Sequence, residues 1–211
     1  MGRVIAVAAT VAVLAACQSG SHPVFSPAPP SPSPPNAPTA VVLQSADIPP
    51  GLKPCLGSGP IDVYVTTLAN SDSALAARVA AQWEQLHVAG ATAGAISLFT
   101  AGPAACSAEL GATSSVRSVA SLVAVFPDSG QADRAWAAGA FGFVPPAPGE
   151  ILPGVTLGSA SGLGLSSWTY DRPPARLACW HKSVFVAIVV ATNFDAAAFK
   201  AATGAVDSRL N

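Results

Sequence analysis

The chain has 211 residues, of which 51% are hydrophobic and 10% charged, with a formal net charge of −1 at pH 7. So few basic residues form no stripe that neutralises phosphates, which argues against a nucleic-acid partner. Few charges also mean either a large core or an apolar surface, and an apolar surface invites a partner.

Arg3 precedes an apolar run over residues 4–13, and Leu14-Ala15-Ala16-Cys17 closes it. The run is within the range of a signal-peptide core and well short of the ~20 residues that span a bilayer as a helix. Small side chains at Ala15 and Ala16 let an extended strand enter a peptidase cleft, and the Cys17 thiol is a nucleophile for lipid transfer. This tetrapeptide resembles the lipobox of bacterial lipoprotein signal peptides. The resemblance implies that residues 1–16 are removed and that Cys17 becomes the lipidated first residue, holding the protein on the extracytoplasmic face of the cell membrane. Two acyl chains, unlike one, anchor stably. An ordinary secretory signal cut near Ala16 is the alternative.

Residues 18–39 are almost all Ser, Pro and Ala with no acidic or basic side chain. Such a segment buries no core and populates polyproline II at ~3.1 Å per residue. Residues 17–40 therefore read as a lipidated cysteine and a semi-rigid tether, with His22 solvated within it. A PxxP ligand is the competing reading. Residues 41–211 remain as one domain, and ~170 residues bury roughly 70% of their unfolded surface.

Within that domain, β-branched alternation over residues 61–67 predicts a half-buried strand. A helix follows it. Ser71, Asp72 and Ser73 offer capping oxygens, Leu75, Val79, Trp83 and Leu86 recur at helical spacing, and Gly90 ends the pattern. Trp83 is then core, and His87 sits near the negative end of the helix dipole. A theme then recurs. Residues 95–99 form a strand, a connection carries Cys106, residues 116–126 form a second strand, and Asp128 caps a helix through Trp136. In the second copy residues 165–170 form a strand, a connection leads to Cys179, residues 184–192 form a strand, and Asp195 caps a helix through Phe199, Val206 and Leu210. The two aspartates are 67 positions apart. The expected architecture is α+β, with a mainly antiparallel sheet, helices packed on one face, and a βα unit followed by two ββα units. Trp83, Trp136 and Phe199 supply the helix-side core. The opposite face is then open, and the apolar run over 184–190 is a central strand covered on both sides.

Export permits disulfides. With Cys17 lipidated, Cys55, Cys106 and Cys179 allow three single pairings, and loop entropies of ~4 to ~5 kcal/mol do not choose among them. Local context favours Cys55–Cys106, because both lie in Pro/Gly-rich loops while Cys179 sits beside Trp180 at a strand start. No metal site is expected, since no cysteines share a C-x-x-C spacing and His181 alone lies near one. No cofactor signature is present either. The glycines at 154, 158, 162 and 164 do not match G-x-G-x-x-G, and Ala160 occupies the serine position of a nucleophile elbow. A Cys179–His181 dyad lacks an orienting third group.

Residues 141–164 are too long for a routine connection yet rich in apolar side chains. Phe141, Phe143, Ile151, Leu152, Val155 and Leu157 are candidates for a lid over an apolar ligand, and an ordinary packed loop is the alternative. The Asp-capped helices, the cysteine count and the ADIPPGL run leading to Cys55 resemble small extracytoplasmic domains of actinobacterial lipoproteins and receptor-kinase sensors. That resemblance carries no residue-level function. The leading expectation is a non-enzymatic, membrane-tethered binding or interaction domain for an apolar ligand or an envelope protein. A structural or sensory envelope domain without a small ligand comes second, and a hydrolase third.

Overall fold

The computed structural model describes residues 36–102, 106, 116–147, 149–150 and 152–211. Cys17, the signal segment, the tether as far as residue 35 and the lid candidate Ile151 lie outside the described residues. The fold begins inside the segment read as tether. Pro38 opens a one-turn helix, α1 (Pro38–Val41), where its missing N–H costs nothing, and Val41, Val42 and Leu43 behind it are buried.

Two short strands, β1 (Lys53–Pro54) and β2 (Gly59–Pro60), run end to end along one edge of the sheet, with residues 55–58 looped out between them. The chain then enters α2 (Ile61–Ala69). This corrects the strand expected over residues 61–67. Ile61, Tyr64 and Leu68 are the buried residues of α2, so a spacing of three and four prevails over the β-branched alternation. Thr66 and Thr67 turn their hydroxyls back onto the carbonyls of Asp62 and Val63, both at 2.8 Å.

The remaining elements are α3 (Ser73–Val88), β3 (Ala93–Thr100), β4 (Ser118–Val125), α4 (Ser129–Ala138), β5 (Val155–Leu157), β6 (Ser167–Arg172), β7 (Ala175–Lys182), β8 (Phe185–Thr192) and α5 (Ala196–Asp207). Asp72, Asp128 and Asp195 cap α3, α4 and α5, each accepting from the backbone N–H three residues on at 2.8–2.9 Å. The connection expected to lead to Cys179 is itself the strand β7, which forms a hairpin with β6 across Pro173-Pro174.

All strand pairs are antiparallel, in the order β1-β3-β4-β8-β7-β6-β5 with β2 also against β3. The class is α+β, as the element pattern implied. β8 is central, flanked by β4 and β7, and all eight of its residues are buried. That explains its unbroken apolar run.

The helices divide between the two faces, which corrects the one-sided packing. On the first face α2, α3 and α4 cover Ile96, Leu122, Cys179 and Ile188 with Tyr64, Trp83, Leu86 and Ala135. On the second, α5 lays Phe199, Ala202 and Val206 over Val123, Trp180 and Val189, and residues 41–43 complete the cover. Phe199 thus belongs to the opposite core from Trp83 and Trp136. No open sheet face remains beneath α5, and each fully buried large apolar side chain there contributes ~1.5–3 kcal/mol.

Candidate functional site: a groove at the β5–β7 end of the sheet

On the first face the helices reach as far as β8 and β7, where α4 packs. Beyond α4, toward β6 and β5, the described residues among 139–153 form a strap that leaves α4 at Gly139 and returns to the sheet at β5. Gly139 has a φ of 95°, and a Cβ there would lie 2.7 Å from Cγ2 of Val144, so the turn requires glycine. The 144–153 portion carries four prolines, at 145, 146, 148 and 153. Glu150 pins it locally, its Oε2 accepting from the Ala147 N–H at 3.0 Å.

Between strap and sheet lies an open, mainly apolar groove of about 560 Å³. Val144 and Leu152 form its strap side, Val155, Trp168, Tyr170 and Leu177 its floor, and Glu150 is the one charged side chain among the described residues that line it. The floor follows from register. Tyr170 stands opposite Leu177 and Val155, and Trp168 opposite Leu157, so alternate residues of three strands point to one side. Val144 is 60% exposed, and Leu152 and Leu157 are each 40% exposed. The groove is therefore continuous with an apolar rim.

The lid candidates separate. Phe141 is buried, and it and Phe143 wall a different cavity of about 230 Å³ between α3 and the sheet, with Leu75, Ile96 and Leu122. Leu152 and Val155 line the groove itself. Leu157 lies on the edge strand β5 beside it, so Val155 and Leu157 are sheet residues and not part of a lid. Trp168 and Tyr170 were readable as one face of an alternating strand, but residue type alone did not mark them as a floor. Leu177 carries no such mark in the sequence, where the chain leading to Cys179 reads as a connection and not as the strand β7.

The other reactive side chains are engaged. Cys179 is a free thiol with no exposure. Burial pushes it up to about 12, against the smaller opposing effect of the Trp136 and Trp168 indole N–H groups. Those N–H groups lie near the sulfur, yet neither closes a hydrogen bond of ordinary geometry. A thiolate is not accessible there at neutral pH, whatever stands beside it.

His181 shares the Cys179 side of β7, but its Nε2–H donates to the Ser183 carbonyl at 2.7 Å and its Nδ1 lies 3.5 Å from Asp133 Oδ1. Ser166 Oγ donates to the same carboxylate at 3.1 Å. Both contacts fall on the same Asp133 oxygen, and among the described residues no hydrogen bond joins the Ser166 hydroxyl to the His181 ring, the contact that activates a serine nucleophile. His87 packs its ring on Trp83, with centroids 4.3 Å apart. Among the described residues no group of three His, Cys, Asp or Glu side chains converges to hold a metal ion. Cys55 and Cys106 form the disulfide that their loop context favoured.

Comparison with known proteins gives no matching family model, no significantly similar curated protein and no significantly similar solved structure.

Proposed function

We propose that the protein is a membrane-anchored, extracytoplasmic binding module of non-enzymatic type, and that its groove between the 144–153 strap and strands β5–β7 takes up an apolar segment of an envelope protein. The observation that carries this reading is the groove with its exposed rim. A trough open to solvent buries only one side of an occupant, and the adjoining Val144, Leu152 and Leu157 stay wet unless the partner extends over them. A protein segment covers both, whereas a lone acyl chain leaves the rim exposed. Lipidation of Cys17 and a Pro-rich tether fit a module that meets partners close to the bilayer.

The test is a photo-crosslinking amino acid placed at Leu152 or Leu157, with Lys200 on α5 as the control position. The expected result is the same discrete protein adduct from both rim positions, none from Lys200, and its loss on Leu157→Asp in the Leu152-labelled chain. Absence of an adduct overturns the reading. A stoichiometric lipid adduct in native mass spectrometry that Leu157→Asp removes would reassign the groove to a lipid.

A further inference from the structure

A second cavity, larger and different in chemistry, lies at the opposite end of the sheet. It measures about 590 Å³ and is bounded by the looped-out residues Cys55 and Leu56, by Tyr64 and Leu68 of α2, and by Cys106 across the disulfide. The loop is held against α2 by close contact, since a Cβ on Gly57 would lie 2.7 Å from Cβ of Thr67. Tyr64 is 4% exposed and lines this cavity, yet its phenol has no hydrogen-bond partner among the described residues. Burial raises its pKa, with no bonded neighbour to oppose the effect, so the group is an O–H donor at neutral pH. The phenol oxygen is not among the sealed, unpartnered polar atoms of the fold, so it is reachable from the cavity as a donor.

The nearby hydroxyls do not compete for that role. Thr67 Oγ1 donates to the Val63 carbonyl at 2.8 Å and Ser71 Oγ to the Leu68 carbonyl at 3.1 Å. Among the described residues Lys53 is the only charged side chain on the wall, it is exposed, and it makes no ion pair there. Leu56 stands at the cavity 88% exposed. The lining thus offers an unpartnered donor within, a positive charge at the surface and apolar walls between.

We propose that this cavity binds a small amphipathic carboxylate, with its apolar body along Leu56, Leu68 and the Tyr64 ring, an oxygen accepting from the Tyr64 phenol, and its negative charge complemented by Lys53. The site is independent of the β5–β7 groove and does not rest on the function proposed for that groove.

The experiment is calorimetric titration of the full chain, carrying Cys17→Ser to keep it off the membrane, with decanoate and with decylamine. These probes share a tail and differ in the sign of the head. Decanoate should bind at one equivalent and decylamine at least tenfold more weakly. Tyr64→Phe should weaken decanoate about tenfold, as expected for a lost hydrogen bond to a charged group, without lowering the melting temperature. Leu152→Asp should leave decanoate binding unchanged. No decanoate binding, equal binding of both probes, or indifference to Tyr64→Phe overturns the proposal. Loss of binding on Leu152→Asp would move the ligand to the other groove and overturn it as well.

Discussion

Asp128 and Asp195 are fully exposed carboxylates, and each is held below the usual carboxylate range first by a backbone N–H, from Gln131 and Ala198 respectively. A carboxylate with a depressed native pKa stabilises the fold above its unfolded value of ~3.9 and loses that contribution as pH falls through the native value. Scanning calorimetry between pH 5 and pH 2.5 should therefore show a melting temperature that falls with acid. The fall should be shallower in the Asp128→Asn, Asp195→Asn double variant; parallel curves would remove the caps as its source. These residues were legible because a cap is a local event, joining residue i to the N–H of i+3. Tyr64 was not legible in that way. Whether its phenol finds a partner depends on what α2 packs against, and residues 61–67 carry a strand-like alternation and a helical spacing at once.

At the scale of elements, the 67-residue recurrence is real in secondary structure and broken in packing. β4 and β8 begin 67 positions apart, as do α4 and α5. After β4 the chain continues through Phe126 onto the first face, where α4 lies. After β8, Asn193 adopts a φ of 54° and Phe194 turns into the second core, taking α5 with it. Asn is among the few residues that enter the left-handed region readily, and this turn accompanies the change of face between α4 and α5. The fit of α3 against β3 is just as specific. A Cβ on Gly94 would lie 2.6 Å from the Trp83 ring. Gly94→Ala should accordingly destabilise by about 1–3 kcal/mol in urea unfolding, the usual cost of overpacking. The smaller ring of Trp83→Phe should make the Gly94→Ala change cheaper in that background, and additive effects would count against this contact.

Over the whole molecule, the disulfide and a clasp at the chain ends close the fold. The Cys55–Cys106 bond joins residues 51 apart in sequence. Tying a loop of that length removes unfolded-state entropy worth roughly 4 kcal/mol. Unfolding of the Cys55→Ser, Cys106→Ser variant should show a loss of that order, and a loss below about 1 kcal/mol would mean the unfolded chain is already constrained. At the other side, Arg209 donates to the carbonyls of Val41 and Val42 at 3.3 and 3.2 Å and pairs with Asp47 at 2.6 Å. Residues 41–47 are thereby fixed to the C-terminal end of the domain, on the α5 face of the sheet. The β5–β7 groove lies on the other face.

What the sequence determined by itself is local or one-dimensional: the Asp128 and Asp195 caps and the three-residue stretch that caps α3, the buried central strand, the α+β class, and the loop context of Cys55 and Cys106. Each depends on neighbours a few positions away, or on an apolar run long enough to require burial on both sides. The tertiary structure alone decided that residues 61–67 are helical and that α5 covers the face expected to be open. It also decided that Trp168, Tyr170 and Leu177 share one floor. The physical reason is common to all three, since an apolar side chain specifies that it must be buried but not against what. Its partner is chosen by register and by the face to which the chain turns, as after β8, across separations that no window of sequence spans.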